Sequence, residues 1–246
     1  MVQARADERR IEFDGDMGHG AIVFDPSRVG QARPEWFTPA FWGDAAQRVD
    51  SGGRGGAWYV NAPFGACVLR QYRRGGFAAH VSESNYLWAG EAHVRSVAEF
   101  RLTRLMLDRG LALPVPIAAF YVRRGLRYRA ALLMERLPGT RTLADLAAEP
   151  HAPWADAGRL VAGMHRAGLD HADLNADNLL FDASGHGWVI DLDRGVARTV
   201  GNGWRQRNLE RLHRSLLKRR GVREEGDVEE GFARLRAAYD EAWRMP

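Results

Sequence analysis

The chain has 246 residues, 46% hydrophobic and 27% charged, enough for one large domain or two small lobes with a real core. No apolar run approaches the roughly 20 residues of a membrane-spanning helix. The charged N-terminus (Arg5, Asp7, Glu8, Arg9, Arg10) lacks a signal-peptide core, and the single cysteine, Cys67, excludes an internal disulfide and a Cys-based zinc site. The formal net charge of +4 favours anionic partners (nucleotide phosphates, nucleic acid or acidic lipid) without choosing among them. All but one of the 35 basic residues are arginine, Lys218 being the exception. A protein made and kept in the cytoplasm is expected.

In chain order, residues 1–30 read as strand-rich and exposed, with Ile11, Phe13, Ala21, Val23 and Phe24 set among Gly and Asp. Pro26, Pro34 and Pro39 punctuate a linker whose Trp36, Phe37, Phe41 and Trp42 are packing residues that start a short helix. Ser51-Gly52-Gly53-Arg54-Gly55-Gly56 then precedes strands at 57–60 and 66–72, and Cys67 reads as a buried strand residue. A Gly-rich turn between strands lets backbone N–H groups approach phosphates, although four glycines also make an ordinary flexible hairpin. It is no Walker A loop, since G-K-[ST] is missing. Because no lysine precedes Lys218, any phosphate-clamping cation in this half must be an arginine, and Arg70 is the candidate. Arg73 and Arg74 either reach an acceptor or are simply solvated.

Val97, Phe100, Leu102, Leu105 and Met106 recur at helical spacing over 94–113, with Gly110 as a stop. Strands follow at 118–122 and 128–135, joined by an Arg-Gly turn, and a Pro138-Gly139 connector ends the run. Thr142 caps a helix at 143–148. A second helix, 154–167, with Leu160, Val161 and Met164 on one face, delivers the chain into its most informative stretch.

That stretch is His171-Ala172-Asp173-Leu174-Asn175-Ala176-Asp177-Asn178, then a strand (Leu179, Leu180, Phe181), a turn at 182–187, a returning strand at 188–190, and Asp191-Leu192-Asp193. The form H-x-D-x-x-x-x-N followed by I-D-x-D has the spacing of a kinase catalytic loop and its metal-binding aspartate. Phosphoryl transfer needs a carboxylate to take the acceptor's proton and oxygen ligands to hold Mg²⁺ on the phosphates. Asp173 is the candidate base; Asn178 and Asp191 are the candidate ligands. With this loop in place, Gly52, Gly53, Gly55 and Gly56 read better as a phosphate lid. Arg70 stands where a protein kinase keeps its strand lysine, and Glu99 is its candidate partner, with Glu91 the competing assignment.

After Asp191 the chain lacks an A-P-E segment and is short for a peptide platform, which favours a small-molecule or glycolipid acceptor. Two helices are expected at 204–220 and 232–243. The first is basic and amphipathic, suited to an anionic membrane surface or to packing on the core with a solvated basic face. Nucleic acid is not an expected partner, because the arginines lack interleaved exposed aromatics.

These residues resemble one family: the Kdo kinases of the lipopolysaccharide-kinase group, within the protein-kinase-like superfamily. The resemblance lies in Gly53-Arg54-Gly55, Leu69-Arg70-Gln71-Tyr72-Arg73-Arg74-Gly75-Gly76, Ala98-Glu99-Phe100-Arg101, the two prolines between Gly110 and Ala118, the His171–Asn178 loop and Ile190-Asp191-Leu192-Asp193. It implies ATP and Mg²⁺ as cosubstrates and transfer to the 4-hydroxyl of the 3-deoxy-D-manno-octulosonic acid (Kdo) sugar of Kdo-lipid A. It also implies a peripheral place on the cytoplasmic face of the inner membrane. The expected architecture is a bilobal α+β protein-kinase-like fold, with a β-rich N-lobe at 1–136 and a short helical C-lobe at 137–246. Two departures from protein kinases stand out: Asp191-Leu192-Asp193 replaces D-F-G, and Asn175 replaces the catalytic-loop lysine. A different acceptor (a core heptose, another small molecule or a protein) and a nucleotide-binding pseudokinase are the rival readings.

Overall fold

The computed structural model describes residues 2, 7–15, 18–49, 56–72 and 86–245. The chain divides into two compact units, Met1–Arg104 with Val115–Arg136, and Leu105–Pro114 with Leu137–Pro246.

The first unit is an antiparallel sheet with a packed layer on each face. Its elements are β1 (Arg9–Gly15), β2 (Gly18–Phe24), a 3-10 turn (Pro34–Phe37), α1 (Pro39–Trp42), a second 3-10 turn (Gly43–Ala45), β3 (Ala46–Arg48), β4 (Ala57–Ala62), β5 (Gly65–Gln71), β6 (Tyr86–Leu87), a third 3-10 turn (Glu91–His93), α2 (Arg95–Asp108), β7 (Pro116–Arg124) and β8 (Arg127–Glu135). The strand order is β1-β2-β7-β8-β5-β4-β3, with β6 also paired to β8.

Alternation along the strands sorts side chains between the two faces. Ile22, Phe24, Cys67, Leu69, Phe120 and Leu133 face Phe37, with Trp36 and Trp42 packed against that cluster. Of the linker aromatics, Phe37 is core and Trp36 and Trp42 are partly buried against it, whereas Phe41 on the short α1 departs from the expected packing role, being 49% exposed. Burial pushes the Cys67 thiol up to about 12, so it is an inert packing group. On the other face Ala21, Val23, Tyr72, Tyr121 and Leu132 meet Val94, Val97 and Phe100 at the start of α2. One expectation needs correcting: β2 is not exposed. Residues 21–24 are buried because β2 lies inside the sheet, between β1 and β7. The helix at 94–113 is also shorter than its periodicity implies. It closes at Asp108, where Leu111 N donates to Met106 O and Gly110 N to Leu107 O, with Gly110 at φ +79°. This paired closure requires a left-handed residue, which glycine supplies without a Cβ clash.

The second unit contains β9 (Arg141–Thr142), α3 (Leu143–Leu146), α4 (Trp154–Arg166), β10 (Leu169–Asp170), a 3-10 turn (Ala176–Asn178), β11 (Leu179–Phe181), β12 (Gly187–Val189), β13 (Val196–Ala197), α5 (Asn202–Lys218) and α6 (Glu225–Arg244). Residues 105–114 group here because Arg109 Nη1 donates to Ala167 O at 2.6 Å and Val189 N to Ala112 O at 3.1 Å. Thr142 caps α3 by accepting from Asp145 N. α6 begins well before residue 232, since Val228 and Gly231 are part of its buried face.

α4 and α6 pack backbone to backbone. A Cβ placed on Gly158 would collide with the Leu235 carbonyl oxygen, and one on Gly231 with the Trp154 ring. Overpacking a fixed interior commonly costs about 1–3 kcal/mol. Gly158→Ala, whose obstacle is backbone and cannot swing aside, is expected to reach at least the top of that range and to lower the thermal midpoint, read by circular dichroism. An unchanged midpoint would show that the two helices can part freely.

Candidate functional site

In the first unit the site is built on β5 and α2. Strand alternation gives Arg70 and Tyr72 the same face, the one covered by α2. Arg70 Nη1 donates to Glu99 Oε1 at 3.1 Å and to Oε2 at 3.3 Å, and the Tyr72 hydroxyl also donates to Glu99 Oε2. The Arg70 guanidinium lies 5.1 Å from the Tyr72 ring centre. Glu99 is 1% exposed and the Arg70 side chain 25%. Glu91 belongs elsewhere: it accepts from Arg10 Nε and the Tyr121 hydroxyl, both at 2.8 Å. Of the two acidic candidates for Arg70, the structure thus brings Glu99 into contact. Tyr72 went unassigned in the sequence, although its i, i+2 relation to Arg70 on a strand was the available signal. Gly56 sits beside the strand pair, its carbonyl accepting from Gln71 N. Gly52, Gly53 and Gly55, with Arg73 and Arg74, lie outside the described residues.

In the second unit the loop after β10 holds the other candidates. β11 and β12 pair antiparallel with Leu179 opposite Val189, and one step further Ile190 N donates to Asn178 O at 3.0 Å. That ladder sets Asp191 next to the residue bonded to Asn178. Asp191 is the one described non-glycine residue at positive φ (+63°), a conformation asparagine and aspartate tolerate better than most.

The His171 ring ties the two halves of this loop together. Its Nε2 contacts Ile190 O at 3.0 Å and its Nδ1 accepts from Asp173 N at 3.3 Å, which sets a neutral, Nε2-protonated tautomer. Burial pushes the His171 pKa below the ordinary imidazole range, against the opposing pull of the Ile190 bond and of Asp191 and Asp173. The Asp173 carbonyl accepts from Asn178 Nδ2 at 3.1 Å and from Asn175 Nδ2 at 3.0 Å. Holding the Asn178 amide nitrogen this way leaves its Oδ1, a hard oxygen donor, as the end able to take a cation. The Asp173 side chain itself is exposed. Asn175 does not substitute for a lysine's charge. Its Oδ1 accepts from Asp177 N and its Nδ2 is spent on Asp173 O, so it shapes the loop.

Beneath the loop lies a buried network that sequence reasoning missed. Asn208 of α5 accepts from His171 N at 3.1 Å and donates to Asp170 Oδ1 at 3.0 Å. Asp170 Oδ2 accepts from Arg198 Nε at 2.7 Å. His165 of α4 reaches Asn208 Oδ1 through Nε2 at 3.4 Å and the Tyr239 hydroxyl through Nδ1 at 2.9 Å. The only signal for Asn208 was an amide at a position flanked by the apolar face of α5, Trp204, Leu209 and Leu212. Such a residue must be hydrogen-bonded to something.

Among the described residues, no three His, Cys, Asp or Glu side chains gather as a ready-made metal cage. Asn178 and Asp191 fit a different kind of cation site, in which one or two side-chain oxygens are completed by phosphate oxygens and water.

Burial lowers the His165 pKa from 6.5 to about 3, the Asn208 bond opposing it only in part. Between those values the unfolded chain takes up a proton that the folded chain refuses, so stability is full above 6.5 and falls as pH drops. The loss between pH 7 and pH 5 should be about 2 kcal/mol from this residue. Urea unfolding of His165→Gln at the two pH values is expected to show a dependence flatter by that amount. An unchanged pH slope would mean that His165 is not held neutral.

The model of the family described as "Lipopolysaccharide kinase (Kdo/WaaP) family" matches residues 39–239. A 3-deoxy-D-manno-octulosonic acid kinase of Xanthomonas campestris pv. campestris is 59% identical over 245 residues, covering 99% of this chain and 98% of its own. One from Stenotrophomonas maltophilia is 56% identical with the same coverage. A crystal structure of WbdD covers 81% of this chain and 46% of its own at 18% identity and a TM-score of 0.46, a likeness too slight to bear on function.

Proposed function

The chain belongs to the lipopolysaccharide kinase (Kdo/WaaP) family, with a protein-kinase-like α+β fold, and is a phosphotransferase; from that premise we propose that it moves the γ-phosphoryl group of ATP to the 4-hydroxyl of the Kdo sugar on Kdo-lipid A or its precursor. The observation that supports this reading most directly is the neutral His171 ring, which joins the backbone at Asp173 to the backbone just before Asp191. The exposed Asp173 carboxylate orients the acceptor hydroxyl and takes its proton as the oxygen bonds to the γ-phosphorus and the bond to ADP breaks. Asn178 Oδ1 and the Asp191 carboxylate would hold Mg²⁺, which when bound neutralises charge on the phosphates. Arg70, held by Glu99 and Tyr72, clamps the non-reacting phosphates.

Asp173→Ala is expected to lower turnover by about 10²–10⁴-fold while nucleotide affinity changes little. Transfer of labelled phosphate to purified Kdo-lipid A, with mapping of the modified hydroxyl, reads both the base and the acceptor. Wild-type turnover in the variant would remove Asp173 from its role. Phosphate on a heptose, or on no sugar, would overturn the acceptor.

On this reading the enzyme works at the cytoplasmic face of the inner membrane, because its acceptor sugar is borne on a lipid. No described helix is long and apolar enough to cross a membrane. What supports a surface contact is the charge arrangement on α5. Arg207, Arg211, Arg214 and Lys218 are all exposed, and their spacing of 4, 3 and 4 residues lines them along one helix face. Arg219 and Arg220, by contrast, turn to Asp177 and Glu225. Each such cation near an acidic bilayer contributes about 1 kcal/mol. Replacing Arg207, Arg211 and Arg214 by Gln should therefore weaken binding to anionic liposomes roughly a hundredfold, measured by flotation. Equal flotation of variant and wild type would rule this face out.

A further inference from the structure

We propose that residues 7–10 form a polar clamp that sets the orientation of α2, and that Glu8 is a positioning residue for the Arg70–Glu99 pair. The inference deepens the reading above and rests on Arg70 holding nucleotide phosphates.

α2 is an unusual helix to find against a sheet. Ser96, Glu99, Arg101, Thr103 and Arg104 are all buried on it. At 3.6 residues per turn, Arg101 and Arg104 project roughly opposite to Glu99. One side of the helix is thus held by Arg70 and Tyr72, and the other is held by the N-terminal segment. Glu8 accepts from Arg101 Nε at 3.0 Å and from Nη2 at 2.5 Å, with both side chains 6% exposed. Asp7 accepts from Arg104 Nη2 at 2.6 Å, and Asp25 lies 3.5 Å from the same nitrogen. Arg104 Nη1 is buried without a partner, which makes those carboxylates its main compensation. Arg10 Nε reaches Glu91, in the 3-10 turn that feeds α2, and Arg101 Nη2 lies 3.5 Å from Glu91 as well.

The contacts that Asp7, Glu8 and Arg10 make with α2 and the turn before it run through their side chains. A desolvated ion pair is sensitive to loss of one partner, because the survivor is left as a buried, uncompensated charge. With Glu8 gone, Arg101 must find water, and the helix is free to rotate. Glu99 moves with it.

A merely structural contact would lower stability without any special link to Glu99, and a double-mutant cycle separates the two cases. The readouts are the affinity of the full-length protein for a fluorescent ATP analogue and the thermal midpoint. Glu8→Gln is expected to weaken the analogue about tenfold at a temperature where the variant is folded, and Glu8→Asp to recover most of it. In a Glu99→Gln background the same Glu8→Gln change should alter affinity less than about twofold. An equal factor in both backgrounds, or a loss that follows the unfolded fraction, overturns the clamp. If Glu8→Gln does not fold, Asp7→Asn removes a carboxylate whose side chain is 54% exposed, and its smaller effect must likewise vanish without Glu99. Arg70→Gln distinguishes the two levels. Unchanged affinity there defeats the reading of the site and this inference together. Weakened affinity there, without coupling between Glu8 and Glu99, defeats the clamp alone.

Discussion

A carboxylate as thoroughly enclosed as Glu99 cannot stay charged unless its surroundings supply donors. Arg70 on β5 and Tyr72 just beyond its end do so from one face, and their contacts tie α2 to the sheet. The hydrophobic contacts of Val94, Val97 and Phe100 press the helix down. They turn one face of the helix inward, and the polar contacts made from two sides decide which hydrogen-bonding groups meet.

The second unit answers the same demand with an amide and an uncharged imidazole gathered around the Asp170–Arg198 ion pair. Asn208 uses its amide at both ends, taking His171 N and giving to Asp170, while His165 stays uncharged in the interior. Everything above the network inherits its order. His171 cannot shift without losing Ile190 O and Asp173 N, and the neighbours of those two backbone groups are the acidic residues on which phosphoryl transfer would turn. Pre-set geometry of this kind is where most catalytic advantage resides, because nothing has to reorganise as charge develops.

An almost lysine-free chain places its cations in arginine, and the consequences are visible throughout. Guanidinium groups brace Glu8, Glu99, Asp170 and Asp177, contacts in which their planar shape and several donors suit a carboxylate. The loop at 171–178 shows the complementary change. Where a protein kinase has a cation, Asn175 spends both ends of its side chain on the loop backbone.

The residue order of 171–193 was enough to indicate phosphoryl transfer, because the chemistry needs those side chains at those intervals and the intervening apolar strands return the chain on itself. The strands at 57–60, 66–72, 118–122 and 128–135, the Gly110 stop and the Thr142 cap were legible for the same reason: each depends on neighbours in sequence. What stayed hidden depends on neighbours in space. The burial of β2, the part played by Tyr72, the asparagine under the 171–178 loop and the acidic N-terminal brace are all set by which groups must share a water-excluded interior. Local sequence cannot specify that, since the partner of a buried charge is decided only when distant segments have packed.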